Sequence, residues 1–314
     1  MKTTKLGKTQ LKVSELCFGT LPMGPLQADM ALADGVELIK AAMQEGVNFI
    51  DTAESYCNYK YVKQAIKEME NKVIIATKST AKNYFDMEKS VYQALADIEV
   101  DYIDIFHIHA PRDIDPLAER KGALRCLTDF KKKGLINYLG VSTHSIEAVQ
   151  RVSNCKSIDI IFPLVNKSGM GIIDGSIEKM LTAIKQAHQL GKGIYAMKAL
   201  AGGNLIHKLE EALNFVREKP FIDSVAVGML NKEELKLNLM IFNDQKIPSG
   251  LIKKAIRAKK LLVRHELCRK CELCVKACPN HALNLTNGKI TVSKEKCILC
   301  AYCRPHCPQF ALRM

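Results

Sequence analysis

The sequence predicts an α/β protein in which eight strand–helix units close into a barrel, with a small cysteine-rich unit behind it. Three observations carry this. Residues 1–255 alternate short apolar runs with longer stretches of helical period. The short runs are nearly continuous in apolar residues, the pattern of a parallel sheet covered on both faces. Eight such units in about 250 residues is the arithmetic of a (β/α)8 TIM barrel.

In order, the strand-like runs are SELCFGT (14–20), VNFID (47–51), KVIIATK (72–78), YIDIFHIH (102–109), LINYLGVS (135–142), IDIIFPL (158–164), GIYAMK (193–198) and SVAVG (224–228). Amphipathic stretches follow them at 31–45, 59–70, 86–99, 115–133, 145–153, 174–190, 206–218 and 231–243. A doubly wound open sheet is the competitor. Eight regular units favour closure, and no GxGxxG follows the first strand.

The chain has 314 residues, 47% apolar and 25% charged, enough to bury a full core without staples. No run approaches the ~20 apolar residues of a membrane helix, and the first 20 residues lack the apolar core of a signal peptide. A cytoplasmic protein without a membrane partner is expected. The formal charge is +13, but it is unevenly spread: Lys246 to Lys276 holds ten Lys/Arg against Glu266 and Glu272. That concentration speaks against a general nucleic-acid surface. Ile247–Gly250 breaks the repeat. The division expected is a barrel over 1–245, a basic connecting helix within 246–264, and a separate domain over 265–314.

Eight of the twelve cysteines lie in that last domain, as C268-x2-C271-x2-C274-x3-C278-P279 and again, 29 residues on, as C297-x2-C300-x2-C303-x3-C307-P308. Three thiols at this spacing wrap one cubane, and the fourth of each run ligates the other cluster. Cys268, Cys271, Cys274 and Cys307 are expected to hold one [4Fe-4S] cluster, and Cys297, Cys300, Cys303 and Cys278 the second. Zinc sites usually show two separated pairs instead. The segment resembles the bacterial-type ferredoxins, which implies a small ferredoxin-like iron–sulfur domain. The basic stretch before it reads either as a solvated face or as a docking surface for an acidic electron carrier, a ferredoxin or flavodoxin.

In such a barrel, chemistry sits where the strands end. Asp51 closes the second strand, Tyr56 lies in the loop after it, Lys78 closes the third and His109 the fourth. A lysine ending an apolar run must be paired if buried. A phenol beside an ammonium becomes a better acid, and an aspartate keeps that ammonium charged. The sequence thus predicts a lowered Tyr56 pKa and proton delivery to a carbonyl oxygen. His107 lies on the face of His109, one layer deeper, and reads as hydrogen-bonded core.

At these residues the chain resembles the aldo-keto reductases over roughly residues 3–243. LGKTQLKVSELCFGT, DTAESY (51–56), ATKS (76–79), DYIDIFHIH (101–109), GVSTH (140–144) and GIYAMKALAGG (193–203) follow in the family's order. The resemblance implies Tyr56 as proton donor, Lys78 and Asp51 as its tuners, and His109 as the group that orients a small-molecule carbonyl substrate. It also implies NAD(P)H across the mouth, with Gly19 and Thr20 near the nicotinamide and Ser142 at its amide. Leu200, Gly202 and Gly203 fall around the pyrophosphate, Gly228 is also expected at the cofactor site, and Glu234 and Asn238 keep the pattern of an adenosine site. Several positions depart from the family. Thr143 stands where asparagine is frequent, Phe162 where glutamine meets the carboxamide, and Met197 where an aromatic ring stacks on the nicotinamide. Cys57 follows the tyrosine where glycine is common.

A hydride carries two electrons and each cubane passes one. The first expectation is an NAD(P)H-dependent carbonyl oxidoreductase accompanied by or coupled to two clusters. Two alternatives stand beside it: a ferredoxin- or flavin-linked reductase whose clusters feed a barrel-bound flavin or substrate, and a non-catalytic electron-transfer subunit. The intact Asp51, Tyr56, Lys78 and His109 set argues against the last.

Overall fold

The computed structural model describes the chain except residues 26, 68, 70–72, 111–112, 204, 249, 253, 255–260, 279–280, 294–302, 305, 310 and 314. Cys297 and Cys300 and, within the expected connecting segment, residues 249, 253 and 255–260 lie outside the described residues.

A hairpin of β1 (Thr3–Lys5) and β2 (Lys12–Ser14) precedes the barrel strands β3 (Leu16–Gly19), β4 (Phe49–Asp51), β5 (Ile74–Ser79), β6 (Ile103–His109), β7 (Ile136–Thr143), β8 (Ile160–Pro163), β9 (Gly193–Met197) and β10 (Ser224–Gly228). All eight pair in parallel, and β10 closes on β3 through Gly228 opposite Gly19. The strands expected from apolar runs are therefore the barrel strands. Around them run α1 (Leu32–Gln44), α2 (Tyr59–Lys67), α3 (Tyr84–Ile98), α4 (Pro116–Glu119), α5 (Lys121–Lys132), α6 (Ile146–Ser153), α7 (Ile177–Gln189), α8 (Leu209–Arg217) and α9 (Lys232–Phe242). Side-chain caps start several of them: Asn83 for α3, Ser145 for α6, Ser176 for α7 and Asn231 for α9.

The amphipathic stretch 115–133 is two helices rather than one. Arg120 breaks it with a non-helical backbone, because its guanidinium is buried between the Asp113 carboxylate and the Thr80 carbonyl.

Two apolar layers result. Between strands and helices lies the main core, with Phe18, Ile39, Val91, Phe106, Phe130 and Phe242 fully buried. Inside the barrel, Cys17, Phe49, Ile74, Ile105, Phe162 and Tyr195 pack against Leu6, Leu11 and Val13 of the hairpin. The hairpin plugs the N-terminal end of the barrel: Gly7 donates its N–H to Asp223 and Lys8 to the Gly191 carbonyl, both just ahead of strands. The opposite end is left for function.

Ile247, Leu251 and Ile252 pack against the barrel core. Leu262–Val263, read from the sequence as the end of the connecting helix, is instead a strand, β11, antiparallel to β14 (Leu312–Arg313). Pairing with the chain's last strand supplies hydrogen bonds that a free helix end lacks. Between them lie a helical turn, Leu273–Lys276, and the hairpin β12 (Leu283–Thr286) and β13 (Lys289–Val292).

Candidate active site

Strand register brings the predicted polar residues to one end of the barrel. Lys78 lies opposite His107, and His109 opposite Ser142, which in turn lies opposite Phe162. Lys78 is 1% exposed. Its ammonium donates to Asp51 Oδ1 at 2.9 Å, to Asp51 Oδ2 at 2.7 Å and to the Thr52 carbonyl at 2.7 Å. Three acceptor oxygens thus lie within 2.9 Å of the ammonium, which makes its burial tolerable. Asp51 holds Lys78 charged, and the Lys78 pKa is raised although burial works against it.

Tyr56 ends a short 3-10 turn, Glu54–Tyr56, that begins just beyond β4. The Lys78 ammonium lies 4.9 Å from the centre of its ring and 5.2 Å from that of Phe162, so the cation is within reach of two aromatic rings. The turn is tied down twice. Asn58 donates to the Thr20 carbonyl at 2.8 Å and accepts from Thr52, while the Ser90 hydroxyl lies 3.1 Å from each oxygen of the Glu54 carboxylate. Cys57 has a φ of +53°, a left-handed conformation that suits glycine. That is a physical reason for glycine at this position.

One electrostatic expectation is overturned. The Tyr56 pKa is raised, because burial outweighs the lowering effect of Lys78 and Asp51 adds its own negative charge. The phenol is thus fully protonated at neutral pH. His109 is pushed down to about 3 by burial, then by the charges of Lys78, His144, Arg120 and Lys198. It is a neutral imidazole.

Four buried side-chain polar atoms have no hydrogen-bond partner among the described residues: His109 Nδ1, Ser142 Oγ, Asn238 Oδ1 and His107 Nδ1. The first three belong to residues expected to meet substrate, nicotinamide and adenosine. Orphaned polar atoms at strand and helix positions around one mouth fit a polar ligand that satisfies them. Gly202 and Gly203 have φ of +70° and +117°, an opened backbone of the kind that approaches a phosphate closely.

Other predicted cofactor residues have structural partners. Thr20 donates to the Asp51 carbonyl, and Thr143 Oγ1 accepts from the Ser145 N–H at the start of α6. Glu234 accepts from the Leu230 N–H while Asn231 caps its helix. A Cβ on Gly228 would lie 2.4 Å from Pro22, so packing alone explains that glycine. Phe162, 2% exposed, stacks on Tyr195 at 3.9 Å, and Met197 packs against the same interior layer. Leu200 is partly buried against the main core. Asn58, Ser90 and Tyr195 escaped sequence reading, since an isolated polar residue carries no spacing signal.

In the C-terminal unit, Cys274, Cys278 and Cys303 are buried with Ala282, Leu283, Ile290 and Leu312, and Cys268 and Cys307 pack against them. Burial raises the Cys274 pKa, and the neighbouring Cys307 and Cys268 raise it further. Cys278 Sγ accepts from the Ala282 N–H at 3.3 Å, and Cys307 Sγ from the Ala311 N–H at 3.2 Å. The two bonds are related by the sequence repeat. Backbone N–H groups aimed at sulfur suit thiolate ligands of a cluster. Among the described residues no three ligating side chains are close enough to hold an ion as they stand.

The aldo/keto reductase family model matches residues 15–223, and the 4Fe-4S dicluster domain model matches residues 267–312. The chain belongs to the aldo/keto reductase family. It is an oxidoreductase that carries a 4Fe-4S dicluster domain behind its barrel. Among its relatives, the uncharacterized oxidoreductase YqkF of Bacillus subtilis is 24% identical over 81% of this chain and 95% of its own. Aldo-keto reductase YhdN of the same organism is 26% identical over 68% of this chain and 67% of its own. The holo form of an aldo-keto reductase from Bacillus halodurans superposes with a TM-score of 0.65 at 21% identity, covering 83% of this chain and 97% of that one. That likeness is one of fold. No helix among the described residues is long and apolar enough to cross a membrane.

Proposed function

We propose that the barrel interconverts an aldehyde or ketone and its alcohol with NAD(P)H, and that Tyr56 supplies the proton. The carrying observation is the buried Lys78–Asp51 pair with the Tyr56 ring against its cation. NAD(P)H, held by Ser142, Gly202, Gly203 and Asn238, would supply hydride to the carbonyl carbon. Tyr56 keeps its proton until negative charge develops on the carbonyl oxygen. The ammonium then stabilises the phenolate left behind, and Asp51 prevents Lys78 from giving up its own charge. His109, neutral, can hydrogen-bond the carbonyl oxygen and orient it. Phe162, its ring centre 5.2 Å from the ammonium, offers the carboxamide no hydrogen bond and instead adds a cation–π contact to Lys78.

The two [4Fe-4S] clusters, on eight thiols from Cys268 to Cys307, pass single electrons; they either relay to an acidic carrier or hold the small domain together. A flavin is not needed for this reading. The test uses anaerobically purified full-length protein with NADPH and 4-nitrobenzaldehyde. Tyr56→Phe is expected to lower turnover at least ~100-fold while NADPH binding, read by isothermal titration calorimetry, is retained. Unchanged turnover would remove Tyr56 from its role.

A further inference from the structure

Beneath Asp51 a second polar chain runs away from the mouth into the barrel. Tyr195, on β9, donates its hydroxyl to Asp51 Oδ1 at 3.0 Å, and the same hydroxyl lies 2.7 Å from His107 Nε2 on β6. Both side chains are fully buried. The direction of each bond follows from the partners. Asp51 accepts two bonds from the Lys78 ammonium, so it is a carboxylate and can only accept. Tyr195 therefore gives its one proton to Asp51, and its oxygen accepts from His107. His107 then carries its hydrogen on Nε2 and leaves Nδ1 bare. Nδ1 is indeed without a partner and lies against Gly140, where a Cβ would be 2.1 Å away. A bare acceptor is less costly to bury there than an orphaned N–H.

We propose that Tyr195 and His107 are positioning residues for the reaction: the donor series His107 Nε2–H, Tyr195 Oη–H, Asp51 Oδ1 keeps Asp51 ionised and aimed, and Asp51 keeps the Lys78 ammonium beside Tyr56. The inference rests on the roles proposed above for Asp51, Lys78 and Tyr56. It answers a difficulty in the site, because burial drives the Asp51 carboxyl toward protonation. Bonds in series polarise one another and strengthen the terminal donor. The Tyr195 ring is clamped by Phe162, stacked at 14°, and by Phe49 at 4.9 Å, so its hydroxyl has one direction. The aromatic residue at 162 thereby gains a second purpose, in the floor of the site.

Tyr195→Phe removes only the hydroxyl and leaves the ring stack. With NADPH and 4-nitrobenzaldehyde it is expected to lower kcat about 10- to 100-fold, the worth of a hydrogen bond to a charged group, with KM unchanged. His107→Gln, which retains an N–H at the same reach, is expected to keep most of the activity that His107→Leu loses. An unchanged kcat in Tyr195→Phe, or equal loss in both His107 variants, overturns the inference. Independently of turnover, nitrogen-15 NMR of the full chain with oxidised clusters reads the His107 tautomer. The Nε2–H form supports the series, and an Nδ1–H form or an imidazolium overturns it. Failure of the wild type to turn over the probe counts against the proposed function, and the tautomer then decides the series by itself.

Discussion

At the scale of single residues, the site is organised around one buried ammonium. Lys78 has no water to fall back on, so its stability depends on Asp51 and the Thr52 carbonyl. Asp51→Asn leaves a buried charge uncompensated. Removing one partner of such a pair costs about 3–5 kcal/mol, and a lowered midpoint in chemical denaturation together with lost turnover is expected. A variant as stable as wild type would show that the pair is not what holds Lys78. His109 offers a sign test in pH. Its folded pKa of about 3 lies below the unfolded value of about 6.5. As pH falls between those values the unfolded chain binds a proton that the native state refuses, so the histidine contributes stability above the window and loses it within. Catalysis should correspondingly show no limb near pH ~6.5 from His109. A limb there that vanishes in His109→Gln would mean the imidazole is charged in the working site.

At the scale of elements, strands β4 to β7 set the site by register, and close backbone approaches fix how deep each ring sits. Gly140 on β7 is the clearest case, because the His107 ring occupies the space that a Cβ there would need. Gly140→Ala places a methyl group where His107 Nδ1 now is. Overpacking of this kind costs about 1–3 kcal/mol, and the variant is expected to melt lower and to lose turnover together, since the displaced ring drags Tyr195. Thermal melting and the same reductase assay check it; a fully active, equally stable Gly140→Ala would place the ring elsewhere. Around the barrel, helix boundaries followed the apolar period except over 115–133. There a single buried arginine, held by the Asp113 carboxylate and the Thr80 carbonyl, interrupts what the local pattern favours as one continuous helix.

At the scale of the whole molecule, two units differ in what holds them. The barrel has a large apolar core of its own. Among the described residues of the C-terminal unit, three of the seven in its buried cluster are cysteines, so a large share of that interior is expected to face metal. Stripping iron with a chelator under reducing conditions is expected to make residues 262–313 sensitive to protease while the barrel resists. Mass spectrometry of the fragments reads the outcome; equal resistance with and without iron would mean that cluster binding does not hold this unit together.

The barrel, its eight strands and the division into two units were legible in the sequence because apolar periodicity and cysteine spacing act locally. The meeting of Asp51 with Lys78 was legible because strand ends converge in a closed barrel. The direction of the Tyr56 shift was not, since it is set by how much solvent the folded site excludes. Nor were Asn58, Ser90, Tyr195 and the partner of His107, whose roles arise only when residues up to 144 positions apart, Asp51 and Tyr195, are brought within a hydrogen bond. Periodicity determines which side chains face inward; only closure of the barrel decides which of them touch.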